Sequence, residues 1–501
     1  MNRNIIFNIR IILFVMLFCG ISLACYSNNS IAVGIFRLTP CPDNPSAYSI
    51  SMNKDTVVGN GHETLRIPSK IQANGKTYNI VQIASRGFVN CCFIEKLVID
   101  EGITAVGGYA FYGCSSLQAV SFPSTFSSLG GCAFFDCPEL KIIDVDKANP
   151  EFDSREHCNA VVRTADDAIE LGCAGTTFPR SVSTICKHAF HGCTGLVSVS
   201  IPQWIEKIDD YAFSACFRLE KINLPENCTL QFGQSAFDYC ISLTSFYLPA
   251  GDFYFCENPF TNCENLSFFT VSPSNKKART NKENNAIVSV EDSTLLAGCY
   301  NTTIGNDIKR IYASAFKGCR RLARIYIPAS VERVDAGAFS GCSNLVDVVV
   351  DKANKIYDSR DDCNCIIESK SDKIVCGSSM AIIPKSVHTV GKYAFQGMNL
   401  PTVFRIPDNI LKVEEYAFAE CNNLFRLVVP ANTELKNRSF YGCASLTNVF
   451  YEHQNRFMKP RRNLTFDWSP YLGCPRLMSV SISGENVPVI EDGYLVGCEK
   501  R

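Results

Sequence analysis

The chain has 501 residues, of which 46% are hydrophobic and 19% charged, as in an ordinary folded protein rather than a disordered or fibrous one. Its formal net charge is −1, so composition gives no support to nucleic acid as a partner. Length alone does not set the domain count, because a stack of repeats can grow past the size limit of a spherical core.

Residues 1–24 predict a secretory signal peptide. Arg3 and Arg10 lead into an apolar run from Ile11 to Phe18, and Ser22-Leu23-Ala24 puts small residues where signal peptidase cleaves. We expect cleavage without a lipid, since Ser22 stands where lipoprotein signals carry a branched aliphatic; acylation of Cys25 is the alternative. No later stretch approaches the roughly 18 apolar residues that a membrane helix needs. The expected location is secreted or at the cell surface, with no transmembrane segment after signal removal.

Residues 25–81 are rich in turn formers, as in Cys41-Pro42-Asp43-Asn44-Pro45, with short β-prone runs such as Tyr48-Ser49-Ile50 between them. The next segment is repetitive, and the open face of a first repeat needs shielding from water. The pattern therefore predicts a small N-terminal β cap over residues 25–81.

From residue 82 to 483 one pattern recurs: an aromatic, two residues, a cysteine, two residues and an aliphatic, as in Phe111 to Leu117. The cysteine positions form one column, with Met398 replacing cysteine in one unit: Cys91, Cys114, Cys137, Cys193, Cys216, Cys240, Cys263, Cys319, Cys342, Cys421, Cys443 and Cys474. Neighbouring members are mostly 22 to 24 residues apart, and a period near 23 lies in the leucine-rich-repeat range. One unit cannot bury its own apolar face, so the fold is predicted to be a β-rich repeat solenoid.

Each unit predicts a strand that ends at a proline. Val120 and Phe122 alternate with Ser121, as one buried face of a strand requires, and Pro123 follows. The segment from Val106 to Phe111 then turns the chain. We expect these strands to stack in parallel from one unit to the next.

Three steps of 56 residues interrupt the period. They align with one another, so that Asn159-Ala160-Val161-Val162 matches Asn285-Ala286-Ile287-Val288 and Asn364-Cys365-Ile366-Ile367. Each reads as a strand, a polar turn and a returning strand, which predicts β-hairpin inserts near residues 147–180, 273–306 and 352–385. A last step of 31, with Tyr471 in the aromatic position, indicates a degenerate final repeat followed by a tail over 484–501.

The cysteine count of an exported chain favours disulfides, but the repeats argue against most of them. A column position that also accepts methionine behaves as a small buried hydrophobe. Cys158 and Cys173 flank the first hairpin, yet neither other insert keeps the pair: the counterparts are Asn284 with Cys299 and Cys363 with Ser378. A Cys158–Cys173 bridge therefore has little support from the sequence.

The repeat resembles that of the BspA-like leucine-rich repeat surface proteins. The carrying signature is Ile/Val-x-x-x-Ala-Phe-x-x-Cys-x-x-Leu-x-x-Val-x-Ile-Pro, seen in Ile185 to Pro202 and Val334 to Val350, together with inserts such as Tyr357 to Asn364. The resemblance covers residues 82–483; Pro401 in the leucine column is a departure. It implies adhesion and protein recognition at the cell surface, without catalysis. We predict no cofactor.

One segment carries residue types that could bind a metal. Cys186-Lys187-His188-Ala189-Phe190-His191-Gly192-Cys193 offers two cysteines and two histidines, which zinc would favour. However, Cys193 belongs to the core column and His188 to a column of tyrosines, so we predict a structural role and no metal. The sequence contains no catalytic serine, zinc-protease, phosphate-loop or calcium-loop motif, and we predict no enzyme activity.

Recognition would use the outward residue of each strand. In chain order this row is Val98, Ser121, Asp144, Ser200, Asn223, Tyr247, Thr270, Tyr326, Val349, Arg405, Val428, Phe450 and Ser481. Tyr247, Tyr326, Arg405 and Phe450 are of the types enriched in binding hot spots and are the candidate ligand-binding residues. The plainer explanation is that exposed strands favour aromatic residues for β-propensity and cross-strand packing.

The leading hypothesis is an exported adhesin that binds an extracellular protein, either of a host matrix or of a neighbouring cell. Two alternatives stay open: a glycan-binding module in which Tyr247 and Tyr326 stack on sugar rings, and a structural component of the cell surface that assembles with itself. Fold alone does not decide among them.

Overall fold

The structure is a computed structural model that describes residues 30–54, 63–280, 285–452 and 468–482, and the short tail stretches 485–487, 490–491 and 494–495. The predicted signal peptide and Cys25 lie outside these residues. Regular structure in the described ranges is almost all strand, with three 3-10 segments of three residues each, at Arg155–His157, Arg360–Asp362 and Ser469–Tyr471.

Six strands precede the first regular repeat: β1 (Ile31–Val33), β2 (Phe36–Cys41), β3 (Asn44–Met52), β4 (Glu63–Ile67), β5 (Lys70–Ala73) and β6 (Lys76–Ile83). β1, β2 and β3 form an antiparallel meander, and β5 pairs antiparallel with β6. β3 then pairs with β6 in parallel, and β6 continues into the sheets of the solenoid. This continuity does not confirm a separate cap, which stays a prediction.

The first repeats each contribute one longer and one shorter strand: β7 (Ile94–Ile99), β8 (Ala105–Val106), β9 (Ala119–Phe122), β10 (Ser128–Leu129) and β11 (Ile142–Val145). The long strands β4, β7, β9 and β11 form one parallel sheet, and β6, β8 and β10 form a second. Val120 and Phe122 are buried and Pro123 follows the strand, as predicted. The short strand was missed, because a two-residue strand such as Ala105–Val106 has no alternation to recognise.

The first insert is the predicted hairpin. Its strands are β12 (Phe152–Asp153), β13 (Ala160–Arg163) and β14 (Ala168–Gly172). β13 pairs antiparallel with both β12 and β14, and the polar turn at Asp166-Asp167 joins β13 to β14. The insert contributes to the core on both sides, since Val161 packs with the cluster before it and Val162 with the cluster after it.

The second group of repeats contains β15 (Thr184–Ile185), β16 (Ser198–Ser200), β17 (Lys207–Ile208), β18 (Lys221–Asn223), β19 (Cys228–Phe232), β20 (Ser245–Leu248), β21 (Gly251–Phe255) and β22 (Phe268–Val271). β14 pairs in parallel with β15, and the ladder continues through β17 and β19 to β21. The whole insert thus belongs to the next short-strand sheet, and its return strand starts the parallel ladder of that sheet.

The same arrangement follows twice more. The second insert and its repeats contain β23 (Ala278–Arg279), β24 (Ile287–Ser289), β25 (Thr294–Ala297), β26 (Arg310–Ile311), β27 (Arg324–Ile327), β28 (Arg333–Val334) and β29 (Asp347–Val350). The third insert contains β30 (Tyr357–Asp358), β31 (Ile366–Glu368) and β32 (Lys373–Cys376). In both inserts the middle strand is antiparallel to its neighbours, and the return strand pairs in parallel with the short strand that follows.

The last group contains β33 (Thr389–Val390), β34 (Val403–Arg405), β35 (Lys412–Val413), β36 (Arg426–Val429), β37 (Glu434–Leu435), β38 (Asn448–Tyr451), β39 (Ser479–Ile482), β40 (Glu485–Val487), β41 (Ile490–Glu491) and β42 (Tyr494–Leu495). β34, β36, β38 and β39 are parallel, and β40 closes their sheet by pairing antiparallel with β39. Where Pro401 replaces the column leucine, Leu400 is the buried residue.

Stacked phenylalanine rings fill the core between the long-strand sheets and the short-strand sheets. Ring centroids are 4.7 Å apart for Phe190 and Phe213 and 5.0 Å apart for Phe395 and Phe418. Each insert ends in a glycine that faces the first ring of the next stack. A Cβ on Gly377 would lie only 2.0 Å from the ring of Phe395, so this residue has to be glycine for the return strand to cover the ring.

Candidate recognition surface

The predicted outward row lies on the long strands, because side chains alternate between the core and solvent along each strand. Parallel pairing puts row members side by side: Ser121 faces Asp144, and Tyr326 faces Val349. All row members are exposed or half exposed except Ser481, which is 7% exposed. The prediction for Ser481 was wrong; this residue lies on β39, which pairs with β38 on one side and β40 on the other.

Tyr247 and Tyr326 are both well exposed, and acids restrain their hydroxyl groups. The Tyr247 hydroxyl donates to Glu226 over 3.2 Å, and that of Tyr326 donates to Asp351 over 2.6 Å. The second hydrogen bond raises the pKa of Tyr326 and lowers the pKa of Asp351. Each ring is thus presented to solvent with a carboxylate beside its hydroxyl.

Arg405 is held by two acids. Its guanidinium lies 2.7 Å from Asp408 and 2.7 Å from Glu452, and these hydrogen bonds raise the pKa of Arg405. Since Glu452 follows β38, the ion pair crosses the intervening strand β36. A ligand carboxylate would have to compete with both acids, which weakens the case for Arg405 as a free anion-binding group.

Phe450 belongs to the same row as Arg405. Arg405 is in register with Val428, and Val428 with Phe450, so the three form consecutive rungs on β34, β36 and β38. Tyr247 and Tyr326 lie on β20 and β27, in two other sheets. The structure therefore brings Arg405 and Phe450 together in one sheet. Tyr247 and Tyr326 lie in two other sheets, separate from each other.

The core cysteines prove to be hydrogen-bond donors as well as small apolar groups. The thiol of Cys114 lies 3.2 Å from the carbonyl oxygen of Phe88 one repeat earlier, and Cys216 contacts Phe190 over the same distance. Burial raises the pKa of the Cys114 and Cys216 thiols. It also raises the pKa of Cys91, another cysteine of the column, to about 11. The 24 cysteines of the described residues are all free thiols, Cys158 and Cys173 among them.

His188 and His191 sit between neighbouring repeats. The His188 ring stacks on Tyr211 at 5.4 Å, and His191 contacts Phe135 at 5.1 Å. They border a cavity of about 90 Å³ at the first insert, and burial lowers the pKa of His191 to about 3, so its imidazole is neutral. Within the described ranges, no group of three or more histidine, cysteine or acidic side chains could hold a metal ion.

Sequence reasoning missed the asparagines that fasten each insert to the preceding repeat. The Asn149 amide donates to the carbonyl oxygens of Pro123 and Phe126 and accepts from the backbone of Glu151 and Phe152. Asn354 makes the equivalent four bonds in the third insert. The signal was present in the sequence, since asparagine stands at this aligned position in all three inserts.

The parallel solenoid with an exposed row on its long strands defines a class, the leucine-rich repeat proteins. A family model described as BspA type leucine rich repeat region, in six copies, matches residues 79–159, 173–286, 292–369 and 375–498. The chain therefore belongs to the BspA-type leucine-rich repeat family. Membership suggests a role in protein recognition or adhesion and a surface or secreted location, and such repeat proteins are generally non-catalytic.

Solved structures similar to this chain include a leucine rich cell surface protein from Faecalibacterium prausnitzii A2-165, with 23% identity, a TM-score of 0.39, and coverage of 87% of this chain and 96% of that one. A leucine-rich repeat protein from Bacteroides ovatus has 18% identity, a TM-score of 0.32, and coverage of 88% and 98%. The pneumococcal vaccine antigen PcpA has 13% identity, a TM-score of 0.33, and coverage of 93% and 91%.

No curated protein matches the sequence. In the part of the chain that the structure describes, no helix is both long enough and apolar enough to cross a membrane.

Proposed function

We propose that the protein is an exported, non-catalytic adhesin that binds an extracellular protein ligand through the exposed face of its long-strand sheets. The observation that carries the proposal is the row of outward residues, which parallel pairing aligns in register from strand to strand. A row of this kind presents side chains at the spacing of the strands, about 4.8 Å, over an extended surface.

Phe450 and Val428 are the centre of the proposed contact. Both are apolar residues on neighbouring strands, and Val403 and Phe425 add exposed apolar area beside them at 56% and 45% exposure. Aromatic residues and arginine are enriched in binding hot spots, and Arg405 stands at the end of this row. The ion pairs of Arg405 with Asp408 and Glu452 would border the apolar contact and give it orientation.

Binding of the purified chain to matrix proteins, plasma proteins and glycans, at physiological salt, tests the proposal. We expect saturable binding to a protein that survives periodate treatment of the target. Binding lost on periodate treatment would instead favour the glycan module, with Tyr247 and Tyr326 as stacking rings. Assembly of the chain with itself, without any foreign ligand, would favour a structural surface component.

Two double variants locate the contact. Arg405→Ser with Phe450→Ser removes the row on β34 and β38, and Tyr247→Ser with Tyr326→Ser removes the other two candidates. Tyr254→Ser is the matched control, because Tyr254 is 47% exposed but lies on β21, in a short-strand sheet. We expect the first double variant to lose binding at least tenfold and the control to bind normally. Unchanged binding by both double variants would remove the long-strand face as the contact.

Export itself is tested at the N-terminus. We propose that the mature chain starts at Cys25 with a free amino group, which N-terminal sequencing of the secreted or surface fraction would read directly. A blocked N-terminus carrying a diacylglycerol mass would establish the alternative, in which Cys25 anchors the protein to a membrane by lipid.

A further inference from the structure

The third insert holds a pair of cysteines that the other two inserts lack. Cys363 and Cys365 flank Asn364 at the entry to β31, whereas the first insert has Cys158 and Ala160 at these positions and the second has Asn284 and Ala286. Both thiols are fully buried, at 0% exposure, and both are free. Both pack in the third core cluster, but neither belongs to the core column.

The backbone folds the two side chains toward each other. Asn364 has a φ of 52°, in the left-handed region, which bends the chain sharply between its neighbours. The thiol of Cys365 lies 3.3 Å from the carbonyl oxygen of Cys363, and that of Cys363 lies 3.7 Å from the carbonyl oxygen of Cys365. Two consecutive Cα steps of about 3.8 Å, bent in this way, fall within the range of about 4.4–6.8 Å that a disulfide spans.

The two thiols also influence each other's ionisation more than any other group does. The side-chain contact with Cys365 lowers the pKa of Cys363, and the same contact raises the pKa of Cys365. The column thiols differ, because burial is the main influence on Cys342 and its thiol donates to the Phe316 carbonyl. The contact that distinguishes this pair from the column cysteines is therefore the one between its own two thiols.

We propose that Cys363 and Cys365 form a disulfide that closes the third insert, made by exchange with a disulfide-bonded oxidant before the insert is buried. The thiolate of one of the two cysteines attacks one sulfur of the oxidant, which gives a mixed disulfide and releases the other sulfur as a thiolate. The second cysteine then loses its proton and attacks the sulfur of the first, releasing the oxidant's second thiol. The pair loses two protons and two electrons, and the oxidant disulfide becomes two thiols.

This inference goes beyond the adhesin proposal and does not depend on the ligand. The bond would fix the start of β31, whose partner strand β32 begins the parallel ladder of the next short-strand sheet by pairing with β33. The disulfide would thus hold one of the three junctions between groups of repeats.

Thiol mapping of the full chain, refolded with oxidised glutathione, tests the pair. Free thiols are blocked in denaturant with N-ethylmaleimide, the protein is then reduced, and newly released thiols are labelled with iodoacetamide before peptide mass mapping. We expect Cys363 and Cys365 to take the second label together, and Cys158, Cys173 and Cys342 to take the first. First-label modification of Cys363 and Cys365 would overturn the proposal, as would a bond from either residue to Cys376, the buried cysteine of β32.

A variant separates the pair from other partners. Cys365→Ala introduces the residue that the first two inserts carry at this position, so we expect it to fold. In this variant Cys363 should react with N-ethylmaleimide, the first label. Neither position should then carry iodoacetamide, the second label. Cys158→Ala is the matched control and should leave the labelling of Cys363 and Cys365 unchanged. Second-label modification of Cys363 in Cys365→Ala would show that its partner is another residue and would overturn the proposal.

Discussion

At the scale of single residues, the repeat depends on a backbone conformation that most side chains disfavour. In all thirteen repeats the residue before the column position has a positive φ, from 55° at Tyr239 to 74° at Gly341 and Gly473. Seven of these residues are glycine, two are asparagine, and Glu420 is among the exceptions at 57°. A residue with a Cβ loses roughly 1–2 kcal/mol in this region, which accounts for the recurrent Gly-Cys pair.

Replacing Glu420 by glycine should therefore stabilise the protein. We expect Glu420→Gly to raise the free energy of unfolding by about 0.5–1 kcal/mol, because relief of the left-handed strain outweighs the added freedom of the unfolded chain. Urea unfolding measures the change. Glu415→Gly, at an exposed residue of the same repeat without a positive φ, should be destabilising; a gain of equal size there would show that backbone conformation is not the cause.

Asp238 gives a pH dependence of defined sign. It is 4% exposed, and burial raises its pKa to about 6 although Thr261 and Asn262 donate to its carboxylate. The folded state therefore holds a proton that the unfolded state has already lost between about pH 4 and 6. Its contribution to stability falls as the pH rises through this window and stays low above it.

Asp238→Asn should remove the loss of stability that accompanies ionisation of this carboxyl group. The amide keeps an oxygen that accepts from Thr261 and Asn262 but carries no charge to bury. We expect the variant to gain on the order of 2–3 kcal/mol relative to the wild type at pH 7 and little at pH 4. Unfolding curves at both pH values check it, and a gain that does not change with pH would contradict a titrating Asp238.

At the scale of elements, each insert is a hairpin that must fit against a repeat stack on either side. Its return strand ends in glycine where the next phenylalanine ring lies, and an asparagine fastens its start to the preceding turn. These two contacts, and not the hairpin turn, determine how the insert joins the solenoid. The turns themselves are polar and exposed, as at Asp166.

Gly377→Ala tests the first contact. The added methyl would overlap the ring of Phe395, so we expect a loss of about 1–3 kcal/mol in unfolding free energy. Gly131→Ala is the control, since nothing lies within 4 Å of the place that its methyl group would take and its φ is not positive. Equal effects of the two substitutions would mean that the ring moves aside at little cost.

Asn149→Ala tests the second contact. It leaves two carbonyl oxygens and two backbone amides without their partner, and we expect a loss of about 2–3 kcal/mol. Hydrogen exchange of the first insert should increase while the third insert keeps its protection. Asn301→Ala, at an exposed asparagine, serves as the control, and an unchanged exchange rate in the first insert would contradict the fastening role.

At the scale of the whole molecule, the main core divides into three clusters whose borders are the first two inserts. One cluster runs from Leu38 to Cys173, the second from Cys158 to Cys299, and the third from Ala286 to Val480. In a solenoid each repeat contacts only its neighbours, so the stability is nearly the sum of the repeat stabilities and the interface energies between neighbours. The weakest interfaces therefore open first on unfolding.

Hydrogen exchange at increasing urea should therefore show three cooperative units with borders near the first and second inserts. The third insert lies inside one cluster and should unfold together with the repeats around it. Mass spectrometry of peptides along the chain measures the midpoints. A single midpoint for all peptides would contradict the prediction. It would mean that unfolding is as cooperative across the inserts as between ordinary repeats.

Much of this architecture follows from the sequence alone. The 23-residue period, the alternation that buries Val120 and Phe122, and the aligned inserts predicted a parallel solenoid with antiparallel hairpins. These features are local and repeated many times, so neighbouring copies reinforce the same interpretation. The candidate residues Tyr247, Tyr326, Arg405 and Phe450 were found because strand alternation specifies which side chains point outward.

Only the tertiary structure decided what those side chains contact. Arg405 pairs with Glu452, which is 47 residues away, and the Cys114 thiol meets the Phe88 carbonyl 26 residues earlier. It also decided that Ser481 is buried and that the return strand of each hairpin belongs to the next sheet. The physical reason is that periodicity determines which face of a strand is buried, whereas partners in a stack depend on how successive turns align in space.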